Sequence, residues 1–144
     1  MVAAYLQHRL ASSGMSYVVV AQGGTLGING SPASGEAIRA MAEIDIDLES
    51  HRSRGLAAAD LRSSEIVIAM DGDHLETLAE RYPEGRDSRY LLRAFEAGPQ
   101  PAVNAPDLDD PIGCPPSVFR KQREIIRVCV DHLVLHLKHE AMPS

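Results

Sequence analysis

The stretch Glu65-Ile66-Val67-Ile68-Ala69-Met70-Asp71 joins a strand pattern directly to the start of a helix. Its apolar run is short and rich in β-branched residues, which is typical of a strand that is covered on both faces. Asp71 stands where a side-chain oxygen can cap the helix that follows, and Pro83 ends that helix. A buried strand that leads straight into a helix indicates an α/β protein with a parallel sheet.

The residues before this stretch continue the alternation of helix and strand. A helical pattern opens the chain and stops at Ser12-Ser13-Gly14, and the run Tyr17–Ala21 predicts a strand. A glycine-containing loop follows at residues 23–30, and Ser34 can cap a further helix. The apolar residues of the two predicted helices are Ala3, Leu6 and Leu10 in the first and Ala37, Ile38, Met41 and Ala42 in the second.

The residues after the stretch end in the longest periodic segment of the chain. Tyr90-Leu91-Leu92 predicts a short third strand, and residues 98–116 have no regular pattern. A last helix is predicted over residues 117–141, with an apolar stripe of Phe119, Ile126, Val130, Leu133 and Leu137. Together these elements predict an α/β sandwich with a mainly parallel sheet, formed by one domain of 144 residues.

The composition excludes several classes of function. The formal net charge is −6 and the acidic residues are spread along the chain, so nucleic acid and anionic membranes are not expected partners. No apolar run approaches the roughly 20 residues that span a bilayer, and the first residues lack the pattern of a signal peptide, which predicts a cytoplasmic protein. Cys114 and Cys129 are too few for a disulfide framework and lack the spacing of zinc ligands.

The segment Asp107-Leu108-Asp109-Asp110-Pro111-Ile112-Gly113 holds the strongest candidate for catalysis. A carboxylate on a rigid Asp-Pro turn can protonate a leaving group, but the reaction also needs a nucleophile such as a thiolate or a bound water. A purely structural role is the alternative, because Asp favours turns and Pro fixes the next φ. The residues alone leave both interpretations of Asp110 open.

Several short motifs occur in an order and spacing that resemble one known family. They are Gly23-Gly24-Thr25, Pro32-Ala33-Ser34, Ile46-Asp47-Leu48, His51-Arg52-Ser53-Arg54, Ile68-Ala69-Met70-Asp71 and Asp110-Pro111-Ile112-Gly113. This series is similar to the low-molecular-weight protein tyrosine phosphatase family, and especially to the bacterial branch that includes protein arginine phosphatases. The resemblance covers nearly the whole chain and implies a three-layer α/β/α sandwich, with residues 1–144 as a single phosphatase-like domain.

The resemblance also implies a reaction and two site residues. Members of the family attack the phosphoryl group of a phosphorylated protein with the thiolate of a Cys-x5-Arg phosphate loop, and they need no metal or other cofactor. Asp110 takes the position of the general acid, which protonates the departing phenolate or guanidine nitrogen. Ile112 takes a substrate-binding position where phosphotyrosine-selective relatives have aromatic residues, and this difference favours phosphoarginine or another group over phosphotyrosine.

By the same resemblance, Met1–Tyr5 corresponds to residues just past the phosphate loop. We therefore expect the first strand and that loop to be missing from this chain, and the 144 residues to be inactive on their own. A missing inner strand leaves two unpaired strand edges, which a second copy of the chain could cover in a homodimer. A noncatalytic remnant that binds a phosphoprotein, or regulates a full-length relative, is the alternative function.

The string from Cys114 to Arg120 also matches Cys-x5-Arg. A phosphate cradle needs consecutive backbone N–H donors and glycines, whereas the two prolines of this string have no N–H and its Val-Phe pair crowds the turn. We therefore expect no catalytic role for Cys114. Cys129 is expected to be a buried and inert thiol on the last helix.

The histidines of the last predicted helix, and His51 with Arg52, have weaker functional interpretations. His132, His136 and His139 could share a metal by their helical spacing, but a solvated helix face is favoured because no carboxylate-rich motif accompanies them. His51 and Arg52 match a segment that in relatives of the family supports the catalytic loop, and a polar turn is an equal alternative.

Overall fold

The computed structural model describes residues 1–15, 20, 30–52, 66–81, 83 and 89–141. Within these ranges the chain forms α-helices, two β-strands and one 3₁₀ helix. In chain order they are α1 (Val2–Ser12), α2 (Gly35–Ala42), β1 (Val67–Ala69), α3 (Gly72–Arg81), β2 (Arg89–Leu91), the 3₁₀ helix η1 (Leu92–Phe95) and α4 (Pro116–Ala141). The strand predicted at residues 17–21 lies outside the described residues except for Val20, as does the glycine loop up to residue 29.

The two described strands are parallel, as the sequence predicts. Strand β1 pairs with β2 in a register that places Val67 opposite Arg89 and Ala69 opposite Leu91. Strand β2 corresponds to the predicted third strand, but its end differs from the prediction. Leu92 begins η1 instead of continuing the strand. Leu92 and Phe95 are both fully buried, and in a 3₁₀ helix residues three positions apart lie on the same side. The chain leaves the strand geometry here because the 3₁₀ turn directs both side chains into the core.

Side-chain caps fix the starts of the two shorter helices. The Ser34 hydroxyl oxygen accepts a hydrogen bond from the Ala37 N–H at 3.2 Å at the start of α2. The Asp71 carboxylate accepts one from the His74 N–H at 2.8 Å at the start of α3. Both caps confirm the sequence prediction, since each satisfies a backbone donor that the helix itself leaves without a partner.

Helix α4 is the central element of the hydrophobic core. It begins at Pro116, one residue earlier than predicted, and proline is favoured at the first position of a helix because its N–H would have no helical partner there. The predicted stripe is buried at Phe119, Ile126, Val130 and Leu133 and half-buried at Leu137. Although α4 has 26 residues, no helix in the described ranges is long and apolar enough to cross a membrane.

The first two helices pack against α4. Tyr5 and Leu10 of α1 and Met41 of α2 are buried in one cluster with the α4 stripe. Fully burying an apolar side chain of this size stabilises a fold by about 1.5–3 kcal/mol. The start of α4, the residues before it and the start of α1 therefore rest on one common core.

Candidate active site

The segment that carries the candidate acid begins where β1 ends. The Leu108 N–H donates to the Met70 carbonyl oxygen at 2.8 Å, immediately after the strand. The Asp107 carboxylate accepts a hydrogen bond from the Gly72 N–H at 2.9 Å, at the first residue of α3. A carboxylate at a helix N-terminus is stabilised by the unpaired N–H groups and by the helix dipole. The beginning of the segment is thus fixed to both β1 and α3.

Two side chains from other elements hold the backbone of the same segment. Arg93 of η1 donates to the Asp107 carbonyl oxygen at 3.1 Å, and its guanidinium is oriented by Glu96 at 3.1 and 3.2 Å. Gln122 of α4 donates from its side-chain amide to the Asp109 carbonyl oxygen. The segment is therefore anchored by β1, α3, η1 and α4 before the chain reaches Asp110.

Asp110 lies at the exposed end of this anchored segment. One oxygen of its carboxylate, Oδ1, accepts a hydrogen bond from the Ile112 N–H at 3.0 Å, which forms an Asx turn around Pro111. The turn closes at Gly113, whose φ of +82° lies in the left-handed region that glycine adopts without strain. The Ile112 side chain is 73% exposed. The turn interpretation and the acid interpretation of Asp110 are compatible, because the turn uses one carboxylate oxygen.

The anchors of the segment were not singled out from the sequence. Asp107 and Arg93 gave no signal, because their contacts join residues that are far apart in the chain. Gln122 did give one: it stands between Phe119 and Ile126 on the predicted apolar stripe, where a polar residue is unusual. A buried polar side chain on a helix stripe indicates a specific partner.

The literal Cys-x5-Arg string has the geometry of a turn followed by a helix. The Cys114 N–H donates to the Pro111 carbonyl oxygen at 2.9 Å, and the Val118 N–H donates to the Pro115 carbonyl oxygen at 3.0 Å in the first turn of α4. Arg120 points to α2, where its Nε lies 3.1 Å from the Glu43 carboxylate. These N–H groups and this guanidinium are committed to internal partners, so the string does not form a cradle for phosphate.

The two cysteines have different environments. Cys129 is fully buried, and burial raises the pKa of its thiol to about 11, with a further contribution from the negative charge of Glu96. Desolvation disfavours the thiolate, which is the reactive form. The predicted burial of Cys129 is confirmed, and its inertness stays a prediction that the raised pKa supports; Cys114 is half-buried.

The histidines of α4 correct one expectation from the sequence. His136 is 8% exposed and hydrogen-bonds the Pro99 carbonyl oxygen at 3.0 Å, and His132 hydrogen-bonds the Phe95 carbonyl oxygen at 2.6 Å. The predicted solvated face is wrong for His136, because η1 and the following residues cover this side of α4. In the described ranges no group of three or more histidine, cysteine or carboxylate side chains could hold a metal ion.

A cleft of about 190 Å³ lies beside the start of α1. Its lining includes Ala3 and Gln7 of α1, Val20, and Asp47 and His51 from the residues after α2. Burial lowers the pKa of His51, and the positive charges of the N-terminal ammonium group and of Arg52 lower it further. The neutral form of His51 is thus favoured at this cleft.

Comparison with known proteins shows the family of the chain. The model of the family described as low molecular weight phosphotyrosine protein phosphatase matches residues 1–142. The chain is 31% identical over 123 residues to the protein-arginine-phosphatase of Geobacillus stearothermophilus, covering 85% of this chain and 79% of that relative. It is 25% identical over 121 residues to the probable low molecular weight protein-tyrosine-phosphatase EpsP of Ralstonia solanacearum, covering 84% of this chain and 78% of the relative. The chain belongs to the low molecular weight phosphotyrosine protein phosphatase family.

Solved structures of similar proteins confirm the α/β sandwich fold. The YwlE arginine phosphatase from Geobacillus stearothermophilus superposes with a TM-score of 0.83 at 29% identity, over 96% of this chain and 84% of that one. The low molecular weight protein tyrosine phosphatase from T. tengcongensis gives a TM-score of 0.82 at 26% identity, over 93% of this chain and 87% of that one. The predicted fold class is therefore correct.

Proposed function

We propose that the chain carries the general acid of a protein phosphatase that hydrolyses phosphoarginine or phosphotyrosine through a phosphocysteine intermediate. Asp110 is the acid, and residues 1–144 act as one domain. The observation that supports this role is the position of Asp110: its carboxylate is exposed, whereas the residues before it are anchored by four elements. A catalytic acid needs this combination of a fixed backbone and an accessible carboxyl group.

The reaction proceeds in two steps that share Asp110. A thiolate attacks phosphorus, the bond from phosphorus to the phenol oxygen or guanidine nitrogen breaks, and protonated Asp110 donates its proton to the leaving atom. The Asp110 carboxylate then accepts a proton from a water molecule that attacks the phosphocysteine. This second step releases inorganic phosphate and restores the thiolate.

The side chain beside the acid favours phosphoarginine as the substrate. Ile112 is two residues from Asp110 and is 73% exposed, so it is available to contact the group that leaves. An aliphatic side chain offers no ring to stack on a phenol, and it can pack against the methylene groups of an arginine. The similarity to a protein-arginine-phosphatase supports the same choice.

The thiolate is the part of the reaction that the described residues do not provide. The sequence contains one Cys-x5-Arg string, which starts at Cys114, and its N–H groups and Arg120 have internal partners. Cys129 is buried with a raised pKa. We therefore expect the 144-residue chain to hydrolyse phosphate esters no faster than background.

The test compares the chain with the same chain preceded by a strand and Cys-x5-Arg loop of the family. Both are assayed with an aryl phosphate and with matched phosphoarginine and phosphotyrosine peptides. We expect turnover from the extended protein alone, with the higher kcat/KM for the phosphoarginine peptide. Cys114→Ser is expected to leave that rate unchanged.

Two outcomes would contradict the proposal. An extended protein that is folded and binds phosphopeptides but does not hydrolyse them would support a noncatalytic binding module. Turnover by the 144-residue chain that is lost in Cys114→Ser would make Cys114 the nucleophile.

A further inference from the structure

Gln122 is a polar residue in an apolar part of the core. Its side chain is 7% exposed, and it shares one face of α4 with Phe119 and Ile126, which are each 2% exposed. Gln122 and His136 are the two buried polar residues in the described part of the chain. Gln122 interrupts an apolar stripe of the helix. A leucine or a methionine at this position would pack against the same neighbours and would bury no polar group that needs a hydrogen-bond partner.

The chemistry of the contact decides how the Gln122 amide is oriented. The Asp109 carbonyl oxygen can only accept a hydrogen bond, so the NH₂ group of Gln122 must face it. This orientation turns the other end of the amide, Oε1, into the core. That oxygen is buried and receives no hydrogen bond from the residues that the structure describes.

Stability does not account for a glutamine at this position. A buried acceptor without a donor is unfavourable, and one neutral hydrogen bond compensates for it at best in part. A methionine of similar length would fill the same space without an unsatisfied oxygen. The advantage of Gln122 must then lie in what its NH₂ group holds.

The Gln122 amide holds the carbonyl of Asp109, the residue directly before Asp110. The other anchors of the segment act on Asp107 and Leu108, two to three positions earlier. Among the described contacts that reach the segment from another helix or strand, the one from Gln122 is nearest to the candidate acid along the chain. It restrains the peptide group that joins Asp109 to Asp110, and hence the direction in which the Asp110 side chain leaves the backbone.

We propose that Gln122 is a positioning residue for Asp110, and that its amide fixes the Asx turn formed by Asp110 and Ile112. This inference rests on the proposed function for its meaning in catalysis, but the positioning itself is independent of turnover. Gln122 acts through the Asp109 carbonyl and, being buried, does not contact the substrate.

The experiment uses the 144-residue chain and nuclear magnetic resonance. Gln122→Met removes the donor at nearly constant volume, and Gln122→Leu removes it with a different shape. Lys121→Met is the control, since it introduces the same residue, methionine, at an exposed neighbouring position of α4. Three quantities are measured for each protein: the thermal midpoint, the hydrogen-exchange rate of the Ile112 amide, and the change of the Ile112 amide shift as Asp110 titrates.

We expect the Gln122 variants to keep or raise the thermal midpoint, because they remove an unsatisfied buried oxygen. The Ile112 amide should exchange roughly five- to tenfold faster than in the parent chain, the factor that loss of about one hydrogen bond produces. Its pH-dependent shift should become smaller, because a mobile Asp110 carboxylate no longer stays at the N–H. If Gln122 had only a packing role, its replacement would lower the midpoint and would leave the pH-dependent shift of the Ile112 amide unchanged.

Either of two results would overturn the proposal. One is an Ile112 amide whose exchange and titration are the same in both Gln122 variants as in Lys121→Met. The other is loss of the folded state in both variants, which would make Gln122 a residue that folding itself requires. Neither result depends on hydrolysis, so both are distinguishable from failure of the proposed function.

Discussion

The Tyr5 hydroxyl donates a hydrogen bond to Asp131 Oδ1 at 2.9 Å and so joins α1 to α4. Arg9 contacts the same oxygen at 2.9 Å. Tyr5 is 5% exposed, and burial raises the pKa of its hydroxyl, with a further contribution from the hydrogen bond to Asp131. Helix α1 lines the cleft that also contacts Val20 and His51, so this contact helps to fix one wall of that cleft.

Replacing Tyr5 by Phe removes this bond while keeping the ring in the core. We expect Tyr5→Phe to lower the free energy of unfolding by about 1 kcal/mol, the usual net contribution of one hydrogen bond. Urea denaturation at pH 7 measures the change. An unchanged midpoint would show that the Tyr5 hydroxyl is as well satisfied by water.

The raised pKa of Tyr5 also predicts a loss of stability in alkali. The folded state holds the Tyr5 proton more tightly than the unfolded state, so this contribution is complete below pH 10 and is lost as the pH rises through the folded pKa. Tyr5→Phe should therefore weaken the decrease in stability above pH 10. Parallel alkaline profiles of the two proteins would contradict the assignment.

Glu43 connects α2 to α4 through two arginines. Its carboxylate lies 2.6 Å from Arg123 and 3.1 Å from Arg120, and Arg123 also donates to the Ala40 carbonyl oxygen at 2.9 Å. The hydrogen bonds from Arg123 and then Arg120 lower the pKa of Glu43. Its contribution is therefore present at neutral pH and is lost as the pH falls through the lowered pKa.

We expect Glu43→Gln to reduce the difference in stability between pH 7 and pH 3. The matched control is Glu36→Gln, because Glu36 pairs with Arg39 inside α2 and, in the described part of the chain, joins no other element. Urea midpoints at the two pH values, each at low and at high salt, give the comparison. Equal pH dependence of stability in both variants would show that the contacts of Glu43 with the two arginines do not contribute to it.

Asp107 links the acid segment to the start of α3. Asp107→Ala leaves the Gly72 N–H without this acceptor, and loss of a side-chain cap typically costs about 0.5–2 kcal/mol. Asp73→Ala is the control, since Asp73 lies exposed in the first turn of the same helix. We expect denaturation to show a larger loss of stability for Asp107→Ala than for Asp73→Ala. A larger loss of stability for Asp73→Ala would be inconsistent with the cap.

The two thiols should differ in reactivity. With a pKa of about 11, the Cys129 thiol is ionised to only about 0.1% at pH 8, and its burial excludes reagents as well. We expect iodoacetamide to label Cys114 and to spare Cys129 in the folded chain, as read by peptide mass mapping. In denaturant both should react, and labelling of Cys129 without denaturant would mean that this part of the core opens.

Much of the fold was predictable from the sequence because its signals are local. The caps at Ser34 and Asp71 and the buried stripe of α4 depend on residues close together in the chain. The end of β2 at Leu91 and the burial of His136 were not predictable. Both depend on how η1 packs against α4, and no periodicity records that contact.

The candidate site was predictable to a smaller extent. The Asp-Pro pair was identified by its resemblance to a family, and the structure places Asp110 and Ile112 in one turn. The sequence did not predict the contacts that anchor the segment, which are made by Asp107, Arg93 and Gln122. Each of these contacts joins residues that are distant in the chain. Of these three residues, Gln122 alone is unusual in the sequence itself, because it is a polar residue on an apolar stripe.

The most direct test of the general-acid role compares Asp110→Asn with Asp109→Asn in the protein extended by a phosphate loop. The two carboxylates are neighbours and both residues are exposed, so the variants change the same charge at nearly the same place. We predict that Asp110→Asn lowers kcat by about 100-fold or more for an aryl phosphate with a poor leaving group, the scale of a lost general acid. For Asp109→Asn we predict a rate close to that of the parent protein. Equal rates in the two variants would contradict the role of Asp110.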